Sequence, residues 1–156
     1  MVIERYFGIA FKPADETDLQ IIIPMMTHLY EQDQIEFIAA EAMVALRGLL
    51  NRPEYGRVWL ICEEERVIGY IVLTIGYSIE FKGLDAFIDE LFIIEQARGK
   101  GVGKVAIEFL IHQCREIGIG AVHLEVEHEN FSAQKFYRKV GFIDRGNYLM
   151  TRTTIS

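Results

Sequence analysis

Cysteine is nearly absent from this chain. Its two cysteines, Cys62 within VWLICEEE and Cys114 within LIHQCREIG, sit in apolar settings without CxxC spacing. This excludes a disulfide framework and leaves a thiolate metal cluster without ligands, so both read as structural side chains. Positive charge is scarce as well. Acids outnumber Lys and Arg 23 to 16, for a net charge of −7, so the clustered basic surface that a nucleic-acid backbone demands is missing. No nucleic-acid partner is expected, and a cationic small acceptor suits such a surface better. Apolar runs are short: LFII falls far below the roughly 20 residues that span a bilayer, and no signal peptide is visible, so no membrane partner and a cytoplasmic location are expected. Prolines number only three, and no stretch rich in Pro, Gly or Ser divides the 156 residues. One domain, residues 1–156, follows.

What the chain does have is an ordered alternation of elements, with hydrophobic residues at 51% and charged residues at 25%. YFGIAFKPA reads as a first strand. Asp15 to Asp18 supply capping acids for a helix with Leu19, Ile22, Ile23, Met26 and Leu29 on one face, and a second helix runs from about Ile35 to Leu50. After the break at NRPEYG, two strands turn around Glu63 to Arg66 as an antiparallel hairpin. DAFIDELFII is a further strand, and Val102 onward a helix with Val102, Val105, Ala106, Phe109 and Leu110 inward. AVHLEVE is another strand. NFSAQKFYRKVGF makes a short helix closed by Gly141, and one or two strands follow between Phe142 and Thr154. The order implies the α+β class: a mixed, mostly antiparallel central sheet flanked by helices.

EQARGKGVGK, residues 95–104, places Gly99, Gly101 and Gly103 among Arg98, Lys100 and Lys104, between a strand and a helix. The first N–H groups of that helix lack intrahelical partners, and an anion seated there accepts them at the positive end of the helix dipole. Glycines permit its close approach. The pattern therefore reads as a phosphate cradle. The Walker pattern fails, because the residue five before Gly103 is Arg98 and the residue after Lys104 is Val105. The dinucleotide fingerprint is met weakly by Gly101, Gly103 and Ala106, with Glu125 where a ribose-binding acid could sit, and it stays open as an alternative.

About 30 residues on, Asn130, Ala133 and Tyr137 fall at offsets of 0, 3 and 7, on one helical face, with Asn130 suited to an N-cap. The pair R-x-x-G-x-G at Arg98, Gly101 and Gly103, followed by N-x-x-A-x-x-x-Y-x-x-x-G-F from Asn130 to Phe142, resembles the GNAT superfamily of acetyl-CoA-dependent N-acetyltransferases. The likeness is close from AFIDELFI to VGF. In the first 55 residues it rests only on element order, and in that family this half usually shapes the acceptor site. The resemblance implies that Gly99, Lys100, Gly101, Val102, Gly103 and Lys104 hold the pyrophosphate of coenzyme A. It also implies that the pantetheine arm lies beside Leu91, Phe92 and Ile93 like an extra strand, that Asn130 contacts its end, and that Tyr137 approaches the sulfur. A homodimer is compatible with it.

Acetyl transfer to an amine sets further requirements. The amine must lose a proton, the thioester oxygen needs a fixed donor, for which the Ile93 N–H is the candidate, and the leaving thiolate needs a proton, which Tyr137 can supply as general acid. Among the acids Asp89, Glu90 and Glu125, Glu90 is the first choice of base and Glu125 the second. A metal cluster drawn from His123, Glu125 and His128 has nothing else in the motifs to call for it, and no metal is expected. The expectation is an N-acetyltransferase that moves the acetyl group of acetyl-CoA, its cosubstrate, to a primary amine of a small molecule or peptide by direct attack in a ternary complex. A non-catalytic acetyl-CoA sensor and a dinucleotide-binding domain are the alternatives.

Overall fold

Phe7 and Gly8, both at positive φ (48° and 85°), make a two-residue turn that splits the expected first strand into a hairpin. Strand β1, Glu4–Tyr6, thereby pairs antiparallel with β2, Ile9–Pro13. The computed structural model describes residues 3–155, which fall into two compact units, one ending at Leu124 and the other starting at Glu125. In the first unit, Asp15 and Asp18 form the expected cap as a reciprocal box. Asp15 accepts from the Thr17 N–H at 2.8 Å, and Asp18 accepts from the Asp15 N–H at 3.0 Å and from Lys12 at 3.0 Å. Helix α1, Leu19–Gln32, follows this cap and buries Leu19, Ile22, Ile23, Met25 and Met26. Helix α2 spans Ala39–Leu50, starting later than expected because the intervening residues close α1: Gln34 turns to a φ of 56° and the Ile35 N–H returns to the Tyr30 carbonyl.

Strands β3, Gly56–Glu63, and β4, Arg66–Ser78, form the expected hairpin, followed by β5, Gly83–Ile93. Helix α3, Val102–Ile117, then carries the chain over to β6, Ala121–His123. The six strands lie in sequence order, each antiparallel to its neighbour except that β5 and β6 run parallel. This is the mixed, mostly antiparallel sheet that the pattern of elements implies. It rules out the doubly wound parallel sheet of a dinucleotide binder.

Both faces of the sheet are covered. Val58, Leu60, Tyr70, Val72 and Phe92 pack with Ile22, Met26 and Leu46 beneath α1 and α2. On the other face, the Phe109 ring of α3 stacks on Phe11 at 4.0 Å and meets Trp59 edge-on at 5.4 Å. A bulge in strand β5 changes which of its residues face each side. Ile88 lies opposite Leu73 and Glu90 opposite Val72, leaving Asp89 as the extra residue. Residues opposite one another share a face, so Ala86 and Ile88 belong to the α3 side, while Glu90 and Phe92 belong to the α1 side.

The second unit holds helix α4, Phe131–Lys139, whose N-cap is Asn130, as expected: its side chain accepts from the Ala133 N–H at 3.1 Å. Two expectations fail here. The AVHLEVE strand stops at His123, and no strand forms among the described residues 142–155. A strand exists only through its ladder, and among the described residues of the second unit no ladder forms.

Candidate active site

Past β5, one 3-10 turn, Glu95–Ala97, leads to Arg98 and into α3. Gly99 and Gly101 take φ values of 75° and 84°, a left-handed backbone that costs other residues about 1–2 kcal/mol. An added Cβ at either would meet nothing within 4 Å, so conformation and open space, not packing, call for glycine. Gly101 is the N-cap of α3 and has no side chain with which to cap it. The first turn contains no acid. The leading N–H groups of α3, at Val102, Gly103 and Lys104, are thus offered outward with exposed Lys100 and Lys104 beside them, Lys104 lying 3.7 Å from Glu108. A pyrophosphate fits this chemistry: multiple donors, positive charge and no competing carboxylate in the first turn.

Arg98, expected among the cofactor-binding residues, has partners within the chain. Its Nε donates to the Ile93 carbonyl at 2.7 Å, a terminal nitrogen donates to Gln32 at 3.2 Å, and its guanidinium lies 5.6 Å from the centre of the Phe92 ring. It ties the loop to the ends of β5 and α1. The edge of β5 beyond this tie is open: β6 pairs only with Asp85, Ala86 and Phe87, and among the described residues Ile88 to Ile93 have no partner strand on that side. Leu91 and Ile93 are half-buried and Phe92 is buried in the α1 core, so the open edge presents mainly backbone. His123 sits at the last rung before the opening. Its Nε2 lies 3.2 Å from Asp85, and its ring lies 5.1 Å from those of Phe81 and Phe87. Among the described residues no three His, Cys, Asp or Glu side chains are grouped to hold a metal.

The bulge turns Glu90 under α1. Tyr70 of β4 donates its hydroxyl to one carboxylate oxygen at 2.8 Å, and Tyr30 near the end of α1 reaches the other at 3.5 Å. Burial, with Asp89 and Asp33 adding to it against the hydrogen bonds of Tyr70 and Tyr30, pushes the Glu90 pKa up to about 7. Burial likewise raises Tyr30 to about 12 and Tyr70 well above the ordinary phenol value, so both remain neutral donors. A carboxyl poised near neutrality beside an open edge can act as a proton acceptor. Neither tyrosine was singled out by the sequence. The available signal, a Tyr in an apolar strand diagonal to an acid, needs the strand register to be read.

Leu91, Phe92, Ile93, the loop from Arg98 to Lys104 and Glu90 all belong to the first unit. Glu125, Asn130 and Tyr137 belong to the second. Glu125 is exposed and lies outside any strand, contrary to expectation. Asn130 has its side-chain oxygen engaged in capping α4, which leaves its amide hydrogens to donate. Tyr137 is half-buried, edge-on to Phe142 at 5.8 Å, and burial raises its pKa.

Residues 23–142 match the model of the Acetyltransferase (GNAT) family. Glucosamine 6-phosphate N-acetyltransferase of Arabidopsis thaliana is 33% identical over 97 residues, 58% of this chain and 63% of that protein. The crystal structure of an integron cassette protein from the mobile metagenome of Cole Harbour Salt Marsh superposes with a TM-score of 0.83 at 31% identity, covering 94% of this chain and 91% of that one. A predicted acetyltransferase of Clostridium acetobutylicum, whose structure was determined with acetyl-CoA, superposes with a TM-score of 0.78 at 18% identity, over 92% and 96% of the two chains. The chain spans 35% to 64% of the length of the five curated relatives it matches.

Proposed function

This chain belongs to the GNAT acetyltransferase family, and from that premise we propose that residues 1–156 act as a single N-acetyltransferase domain that moves an acetyl group from acetyl-CoA to a primary amine of a small molecule or peptide. One observation carries the proposal: α3 begins at a left-handed glycine with no capping side chain and no acid in its first turn, directly after a strand edge left open. The backbone from Gly99 to Lys104 would hold the pyrophosphate, and the edge of Leu91, Phe92 and Ile93 would hold the pantetheine. Asn130 would donate to it through its amide. Bound acetyl-CoA supplies the acetyl group as a thioester.

Glu90 takes the proton that the acceptor ammonium must lose. The Ile93 N–H offers a fixed donor where the thioester oxygen gains negative charge, and Tyr137 returns a proton to the departing sulfur. Two protons leave the nitrogen on the way from ammonium to amide: the first passes to Glu90 before attack, and the second is shed once the N–C bond has formed, matching the proton that Tyr137 gives to the sulfur as the C–S bond breaks. Support for an amine acceptor also comes from the Arabidopsis relative, named for an amino sugar phosphate. Purified protein incubated with acetyl-CoA and a panel of amines should release free thiol with at least one of them. Release with none, across amino sugars, amino acids, polyamines and peptides, would sink the proposal.

A further inference from the structure

Glu90 has two carboxylate oxygens, and each is approached by a hydroxyl from a different element. Register explains how. Tyr70 lies opposite Phe92 and Val72 opposite Glu90, so Tyr70 and Glu90 are diagonal neighbours on the face beneath α1, where the phenol reaches Oε1 at 2.8 Å. The last turn of α1 brings Tyr30 to Oε2 at 3.5 Å. Tyr70 is fully buried and its ring stacks on Phe92, so its hydroxyl has no water to turn to, and Glu90 is what makes a tyrosine tolerable there.

We propose that Tyr70, assisted by Tyr30, is a positioning residue for proton acceptance: it fixes the Glu90 carboxylate in orientation and favours its ionised form. This rests on the reading of Glu90 as the base. The groups facing Glu90 are Tyr70 from β4, Tyr30 from α1, Asp33 from the segment after α1 and Asp89 beside it on β5. The two acids oppose its ionisation and the two phenols favour it, so removing a phenol should leave the carboxyl protonated to higher pH.

In Tyr70→Phe, the acid limb of kcat/KM should move up by about one pH unit, with a loss of about fivefold at pH 7 that shrinks toward pH 9, while CoA affinity stays unchanged. Tyr30→Phe should move it in the same direction by less, as its longer contact implies. That variant alters a half-buried side chain and so keeps the test open if Tyr70→Phe fails to fold. Carbon-13 NMR titration of the Glu90 carboxyl, in protein without acetyl-CoA or amine, reads the positioning apart from catalysis and should show the same upward shifts. An unmoved Glu90 titration in folded variants overturns the positioning role. A shifted titration with an unmoved rate profile overturns instead the reading of Glu90 as proton acceptor.

Discussion

A carboxylate kept half-buried costs stability when it ionises, and burial places Glu90 in that position. Its pKa in the folded chain is about 7, against an ordinary 4.5. Between those values the folded state holds a proton that the unfolded state has released. The contribution of this carboxyl is therefore full below about pH 4.5 and is lost as pH rises to about 7, by up to about 3 kcal/mol. Glu90→Gln should accordingly raise the melting temperature at pH 8 and leave it nearly unchanged at pH 4.5, while lowering turnover most at neutral pH. Calorimetric melts at the two pH values check the sign. Tyr137 poses the converse case. Tyr137→Phe keeps the half-buried ring, so melting temperature and CoA affinity should change little while turnover falls by roughly a hundredfold, the scale for losing a general acid. Normal turnover with a lowered melting temperature would instead mark Tyr137 as a packing residue. Glu90 could be picked from the sequence as an acid in the strand before the glycine loop. Its partners could not, because the bulge at Asp89 decides which face Glu90 occupies, and no single-strand pattern announces it.

Helix α3 was the most legible element. Val102, Ala106, Phe109 and Leu110 are buried as their spacing demanded, with Val105 half-buried, since an amphipathic stripe and a glycine start are written locally. Its N-terminus also yields the sharpest test of anion binding. Gly101→Ala adds a Cβ into open space at a strained φ, so it should lower stability by about 1–2 kcal/mol and retain measurable CoA binding. Gly101→Asp adds the same strain plus a negative charge among the offered N–H groups, and calorimetry should find binding abolished. Equal CoA affinity in the two variants would show that no anion sits there. Elements whose identity depends on partners were harder to read. The Phe7–Gly8 turn lacks the Asn-Gly or Asp-Gly signature of a hairpin, so β1 and β2 merged into one strand. The apolar residues between Phe142 and Thr154 suggested strands, yet Ile143, Tyr148 and Met150 are exposed and no ladder forms among them.

At the scale of the whole first unit, the sheet separates two cores that touch chiefly through its own backbone. Ile22 on the α1 face and Leu110 on α3 are both fully buried. Ile22→Val should cost about 0.5–1.5 kcal/mol and Leu110→Ala about 2–5 kcal/mol. With no shared side-chain partners, the double variant should equal their sum within about 0.5 kcal/mol in urea unfolding; a larger discrepancy would mean that the cores are coupled through the strands. The bulge in β5 gives that separation an unusual arithmetic. Even-numbered residues up to Ile88 feed one core and even-numbered residues from Glu90 onward feed the other, so the strand changes parity at Asp89. Removing Asp89 alone would preserve the facing of every other side chain in β5, whereas losing a residue elsewhere in the strand would invert all those between the gap and the bulge. Length changes along this strand are therefore confined to a single address, the residue beside the proposed base.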